Sequence, residues 1–176
     1  LFTYKAKSIK LNSLDPFFAT EPWTLALKKK KILVVHPFIT SFKNQYKKGL
    51  NNVHARPYFH EDVEIIFYRP CQGIGYRGEE SWFDILDNMN KDIAKMEFDV
   101  ALIAAGAFGL PLAAEIKRSG RVAIHMGGSL QILFGVKGRR WESDTRFDNI
   151  ITKHFIRPIP TETPKGAAEV ENSCYW

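Results

Sequence analysis

Four short apolar runs limit what this chain can fold into more than any other feature. They are KILVVH (31–36), VEIIFYR (63–69), DVALIAA (99–105) and RVAIHM (121–126). Rich in Val and Ile and apolar at consecutive positions, they have the pattern of strands covered on both faces of a parallel sheet. Between the second and third lies GEESWFDILDNMNKDIAKM, where Trp82, Ile85, Leu86, Met89, Ile93 and Met96 fall on one face of a 3.6-residue helix. Glu79, Glu80 and Ser81 give that helix an acidic, capping start. The segment GLPLAAEIKRSG joins strands three and four, with Pro111 in its first turn and Gly120 after Lys117 and Arg118 at its end. A weaker helix around 41–50 spaces Phe42, Tyr46 and Leu50 four residues apart, and GSLQILFG makes a short one after strand four. Strands alternating with helices of this length predict an α/β fold. It is Rossmann-like and doubly wound, with a mainly parallel sheet of at least four strands.

The 176 residues suit one domain with a substantial core. A core over 28–141 is preceded by a lead-in or lid over 1–27, where Phe17, Phe18 and Trp23 are expected to pack on the sheet. It is followed by an irregular, proline-containing tail over 142–176 that closes in CYW. Opening on Leu1 rather than Met, the chain reads either as trimmed or as a domain cut from a longer polypeptide that could contribute further domains. No apolar run reaches the length of a membrane span and no signal peptide is visible, so a cytoplasmic location is expected. Cys71 and Cys174 lie far apart, match no metal spacing and read as reduced thiols. The net charge of +6 suits an anionic partner, while no aromatic-basic strand pattern points to nucleic acid. The lysine run 28–31 reads as a solvated approach to the first strand.

In an open parallel sheet, ligands bind beyond the carboxyl ends of the strands. Strand one ends in His36-Pro37-Phe38, strand two in Arg69-Pro70-Cys71-Gln72-Gly73, and strand three in Gly106-Ala107-Phe108-Gly109. Strand four ends in His125-Met126-Gly127-Gly128-Ser129-Leu130-Gln131. Two of these are glycine turns leading into a helix, where a ligand can approach the backbone and free N–H groups favour an anion. AAGAFG is not the full dinucleotide fingerprint, and there is no P-loop. Tight strand-to-helix packing explains either turn alone. The two together, with Arg139 and Arg140 close behind, point to phosphate, for which arginine offers a planar fork. Trp141 offers a stacking surface to a base or sugar, or else fills the core. His125 is a candidate general base or diphosphate ligand, or a satisfied strand-end histidine, and His36 has the same two readings. Glu79 and Glu80, opening the long helix on the ligand side, are candidate bases for a hydroxyl, although helix-start carboxylates commonly have no further role.

The stretch DVALIAAGAFGLPLAAEIKRSGRVAIHMGGSLQILFGVKGRRW resembles segments of proteins from bacterial capsule and lipopolysaccharide loci, and from large viruses that build their own glycans. ILVVHPF, SWFDILDNM and the closing VENSCYW fit the same pattern, so the resemblance covers roughly 31–141 and the tail. More distantly, the chain is similar to the GT-D fold glycosyltransferases. In these a strand, a glycine turn, a helix with an L-A pair, a glycine and a second strand ending in glycine follow in this order. The resemblance implies a nucleotide-sugar-dependent glycosyltransferase, with a UDP-sugar favoured as donor and a glycan hydroxyl as acceptor. It would line the diphosphate with the turns at Gly106 and Gly127. GT-D enzymes place an Asp-x-Glu metal motif just after the second strand, where this chain has His125-Met126-Gly127-Gly128-Ser129-Leu130-Gln131. That motif would hold a divalent ion, Mn or Mg. Without it no cofactor or metal ligand is assigned, and His125, Arg139 and Arg140 are expected to clamp the leaving diphosphate electrostatically. The substrate-binding set expected on this basis is His36, Gly106, Phe108, Gly109, Gly127, Gly128, Ser129, Gln131, Arg139, Arg140 and Trp141, with Glu79, Glu80 and His125 in catalysis. A non-catalytic nucleotide-sugar or glycan-binding module of a larger biosynthetic protein is the alternative. It would keep the glycine turns and lack a base.

Overall fold

The computed structural model describes residues 10–76, 78–169 and 171–176. Its centre is a four-stranded, all-parallel sheet of β1 (Lys31–Val35), β2 (Glu64–Tyr68), β3 (Val100–Ile103) and β4 (Val122–His125), in spatial order β2-β1-β3-β4. Each strand is shorter than its apolar run in the sequence, because the flanking residues turn away to enter the loops. The doubly wound α/β fold is present, and the tail is irregular, made of short 3-10 turns at Pro160–Glu162, Ala167–Glu169 and Glu171–Ser173.

Alternation along the strands sorts the core into two layers. Ile32, Val34, Val100 and Leu102 face one side, covered by α1 (Ile39–Lys47), α2 (Leu50–Val53), α5 (Gly128–Leu133) and α6 (Arg139–Glu142). Leu33, Val35, Ala101 and Ile103 face the other, covered by α3 (Trp82–Ala94) and α4 (Gly109–Arg118). The inner strands β1 and β3 are apolar at consecutive positions because both of their faces are buried. On the α1 side, the rings of Phe42 and Phe134 stack at 4.5 Å, nearly coplanar in tilt.

Of the face that the periodicity predicts, the helix over 82–94 buries Ile85, Met89 and Ile93; Leu86 is partly buried, Trp82 at the first turn is exposed, and Met96 lies just past the end. Its N-terminus is closed by a capping box, in which Ser81 Oγ accepts from the Asp84 N–H and the Asp84 carboxylate accepts from the Ser81 N–H. The segment before β1 forms three short 3-10 turns rather than a helix. Phe17 is buried against Tyr58 and Phe147, Trp23 is partly buried, and Phe18 stays exposed. The part of the expected lead-in over 1–9 lies outside the described residues.

Candidate functional site

The chain runs from β1 outward to β2, then returns to the other side of β1 to lay down β3 and β4. Loops after β1 and β3 therefore part in opposite directions, and the crevice between them is where a doubly wound sheet takes ligands. A cavity of about 430 Å³ lies there. The ends of β1, β3 and β4 supply His36, Pro37, Phe38, Ala104, Gly106 and His125, and the next turn and α5 supply Gly127, Gly128 and Gln131. The loop after β2 adds Gln72 and Ile74, and the tail closes one side with Tyr175 and Trp176. Gly106 and Gly127 bend the chain sharply at the strand ends with φ of 53° and 58°, a left-handed backbone that other residues adopt at a cost.

Among the described residues, no Lys, Arg, Asp or Glu belongs to this lining. Its ionisable side chains are two imidazoles and the Tyr175 phenol. His36 is buried between the rings of Phe38 and Phe42, and its Nδ1 accepts the Phe38 N–H at 2.9 Å. Burial pushes its pKa down from 6.5 to about 3, so the ring is neutral at neutral pH. The lone pair on Nδ1 is used by Phe38, so the proton of the neutral ring sits on Nε2. His125 is half-buried, and burial lowers its pKa as well. Its ring lies against the backbone at the start of α4, so close that a Cβ on Gly109 would run into it. Gln131 is buried, and its Nε2 donates to the Tyr175 carbonyl at 2.8 Å.

Of the residues singled out from the sequence, His36, Gly106, His125, Gly127, Gly128 and Gln131 come together around the cavity. Gly109 stands behind His125. Phe108 is buried beneath the loop after β2 and stacks on Trp82 at 5.2 Å. Ser129 Oγ is bonded to Asp15 of the N-terminal segment. Trp141 is a core residue under Gly128. Arg139 and Arg140 hold the tail: Arg140 N–H donates to the Cys174 carbonyl, and its guanidinium reaches the Tyr175 hydroxyl at 2.8 Å and pairs with Glu171. Arg139 guanidinium donates to the Asn172 carbonyl. With the arginines on the tail and burial disfavouring the charged form of both histidines, no positive cluster forms at the cavity among the described residues. Glu79 and Glu80 are exposed ahead of α3 and outside the lining, and Glu80 accepts from the Asn88 amide.

Pro37, Phe38, Gln72, Ile74, Ala104, Tyr175 and Trp176 lie outside the site set expected from the sequence. The first four follow β1 and β2 directly, so the rule that ligands bind beyond strand ends already marks their loops. Nothing local marks the tail. Its anchor is Glu162, whose buried carboxylate accepts from the Thr40 N–H at 2.7 Å and from the Ser41 N–H and hydroxyl, and pairs with Arg69. The carboxylate thus satisfies the free amides of the first turn of α1 and ties the tail to the sheet.

Among the described residues, no three His, Cys, Asp or Glu side chains group in a way that could hold a metal ion. Two imidazoles without a carboxylate are a poor donor set for Mn or Mg, which prefer oxygen ligands. Among the described residues, no helix is long and apolar enough to cross a membrane. Residues 76–133 match the model of the GT-D fold-like domain. The matched stretch runs through α3, β3, the Gly106 turn, α4, β4, the Gly127 turn and α5. No curated protein and no solved structure matches the chain.

Proposed function

We propose that the chain is a glycosyltransferase domain that binds a nucleotide-sugar, with a UDP-sugar favoured, in the strand-end cavity and passes the sugar to a glycan hydroxyl in polysaccharide synthesis. The observation that carries this reading is the position of the cavity. It opens where the sheet reverses, and both glycine turns of the GT-D-like stretch line it. A cytoplasmic setting accompanies this reading.

In the transfer, the acceptor oxygen forms a bond to the anomeric carbon as the bond from that carbon to the diphosphate oxygen breaks. The diphosphate leaves with the electron pair, and the acceptor proton passes to a base. His36 has its free lone pair committed to Phe38, whereas no protein group among the described residues hydrogen-bonds the His125 ring. His125, kept neutral by burial, is therefore the proton acceptor in this mechanism, and Glu79 and Glu80 act at most from outside the lining. Backbone N–H groups of the two turns, rather than the arginine pair, face the diphosphate.

A non-catalytic nucleotide-sugar or glycan-binding module is favoured by one observation: among the described residues, no carboxylate lines the cavity. Calorimetric titration with UDP, GDP, CMP and dTDP, with and without manganese, paired with a sugar-release assay on the matching nucleotide-sugars, separates the readings. Binding of one nucleotide with turnover that His125→Asn abolishes while binding persists supports the transferase. Binding without turnover by the unaltered chain supports the module. Binding of none refutes the transferase and leaves a glycan-binding module.

A further inference from the structure

Two buried side chains of the cavity carry one unused polar atom each. Gln131 is 1% exposed, and its amide nitrogen is committed to the Tyr175 carbonyl, which leaves Oε1 as an acceptor without a donor among the described residues. His36 is 4% exposed, and its Nδ1 is committed to the Phe38 N–H, which leaves the Nε2–H as a donor without an acceptor among the described residues. Both residues line the same space, whose remaining walls include Phe38, Ile74, Tyr175 and Trp176.

We infer that the cavity is a subsite for an uncharged ring that both donates and accepts hydrogen bonds, a nucleobase or a hexose. His36 Nε2–H and Gln131 Oε1 would be the pair that reads its edge. This rests on the proposal that the strand-end cavity is the ligand site, and it assigns the diphosphate to the rim rather than the interior. A phosphate carries acceptors only, so it matches His36 and is repelled by Gln131 Oε1. Burying its charge beside apolar walls is also strongly unfavourable where, as among the described residues, no cationic side chain lines the space. A ring such as uracil presents C=O and N–H side by side, and adjacent sugar hydroxyls offer the same two functions. Aromatic walls suit the flat face of either ring. A cavity that leaves one donor and one acceptor unmatched selects for a partner supplying both, because a ligand lacking one leaves a buried polar atom unpaired.

The test titrates the intact chain with uridine, guanosine, cytidine and thymidine, their diphosphates, inorganic pyrophosphate, and free glucose and galactose. The expected result is that one uncharged probe binds within roughly tenfold of its diphosphate-bearing counterpart, that pyrophosphate does not bind, and that His36→Phe weakens the uncharged probe by about tenfold or more. In the unaltered chain, the same probe should shift the imidazole Nε2 nitrogen resonance of His36, a readout that does not depend on the variant folding. Nucleoside binding assigns the subsite to the base. Sugar binding alone assigns it to the hexose and removes the nucleotide from the interior. Pyrophosphate binding while every uncharged probe fails overturns this inference and leaves the nucleotide-binding proposal standing. Failure of all probes overturns both, and an unmoved His36 resonance on binding of an uncharged probe overturns the role of His36.

Discussion

Acidification should unfold this protein through two buried histidines. Folding holds His36 at a pKa of about 3 and His54 at about 4, against 6.5 in the unfolded chain. Burial is the cause for both, and for His54 it is only partly offset by the bond between Nε2 and the Leu133 carbonyl at 2.9 Å. His54 Nδ1 has no hydrogen-bond partner among the described residues. A histidine whose folded pKa is depressed contributes stability that is complete above about pH 6.5 and is lost as pH falls toward the folded value. Between about pH 7 and pH 5 the unfolded chain takes up both protons and the native chain takes up neither, so each ring contributes a loss of about 2 kcal/mol, or about 4 kcal/mol together. That is a large part of the ~5–15 kcal/mol typical of a domain. Urea unfolding at the two pH values measures it directly, and pH 5 stays above the range where most carboxylates titrate. His54→Gln, whose amide can still donate to the Leu133 carbonyl, should remove about half of the acid loss. Stabilities equal at the two pH values, or His36 and His54 ring protons titrating near 6.5 in the folded chain, would refute the reasoning.

Gly109→Ala should drive a methyl group into the His125 ring, costing about 1–3 kcal/mol of stability and displacing the ring from the cavity. Thermal melts together with the nucleotide titration check it, and an unchanged melting temperature and affinity would contradict the close packing. Glu162→Gln weakens the charge-assisted bonds to the start of α1 and the pairing with Arg69, so about 1–3 kcal/mol should be lost and the tail should be cut sooner in limited proteolysis. Phe42→Ala opens the core under the stacked pair with Phe134 and should cost about 3–5 kcal/mol in denaturant unfolding.

Much of the architecture is written locally. Val- and Ile-rich runs name all four strands, although burial on both faces holds only for the inner pair β1 and β3, and the edge strands β2 and β4 are partly exposed; the spacing of Ile85, Met89 and Ile93 names the buried face of α3. The glycine turns and both strand-end histidines are legible for a similar reason: the position of a strand end follows from the strand itself, and ligand sites follow strand ends. The sequence also matches the GT-D-like pattern over 76–133, and that stretch holds Gly106, Gly127 and Gly128 of the cavity lining.

What the residues cannot encode locally is where the chain returns. Arg139 and Arg140 read as a phosphate clamp because they follow a glycine turn, and only the fold shows that the tail returns to them, accepting bonds at Asn172, Cys174 and Tyr175. Glu162 stands 122 residues from its partner Thr40 and has no local signal, yet this contact brings Tyr175 and Trp176 to the cavity wall. Nor does the sequence say that His36 and His125 are neutral, because their pKa values depend on how completely the fold removes water from the rings. Periodicity and turn chemistry are properties of neighbours and are carried by the sequence. Burial, charge state and the closing of the cavity are properties of contacts between distant segments, so only the tertiary structure decides them.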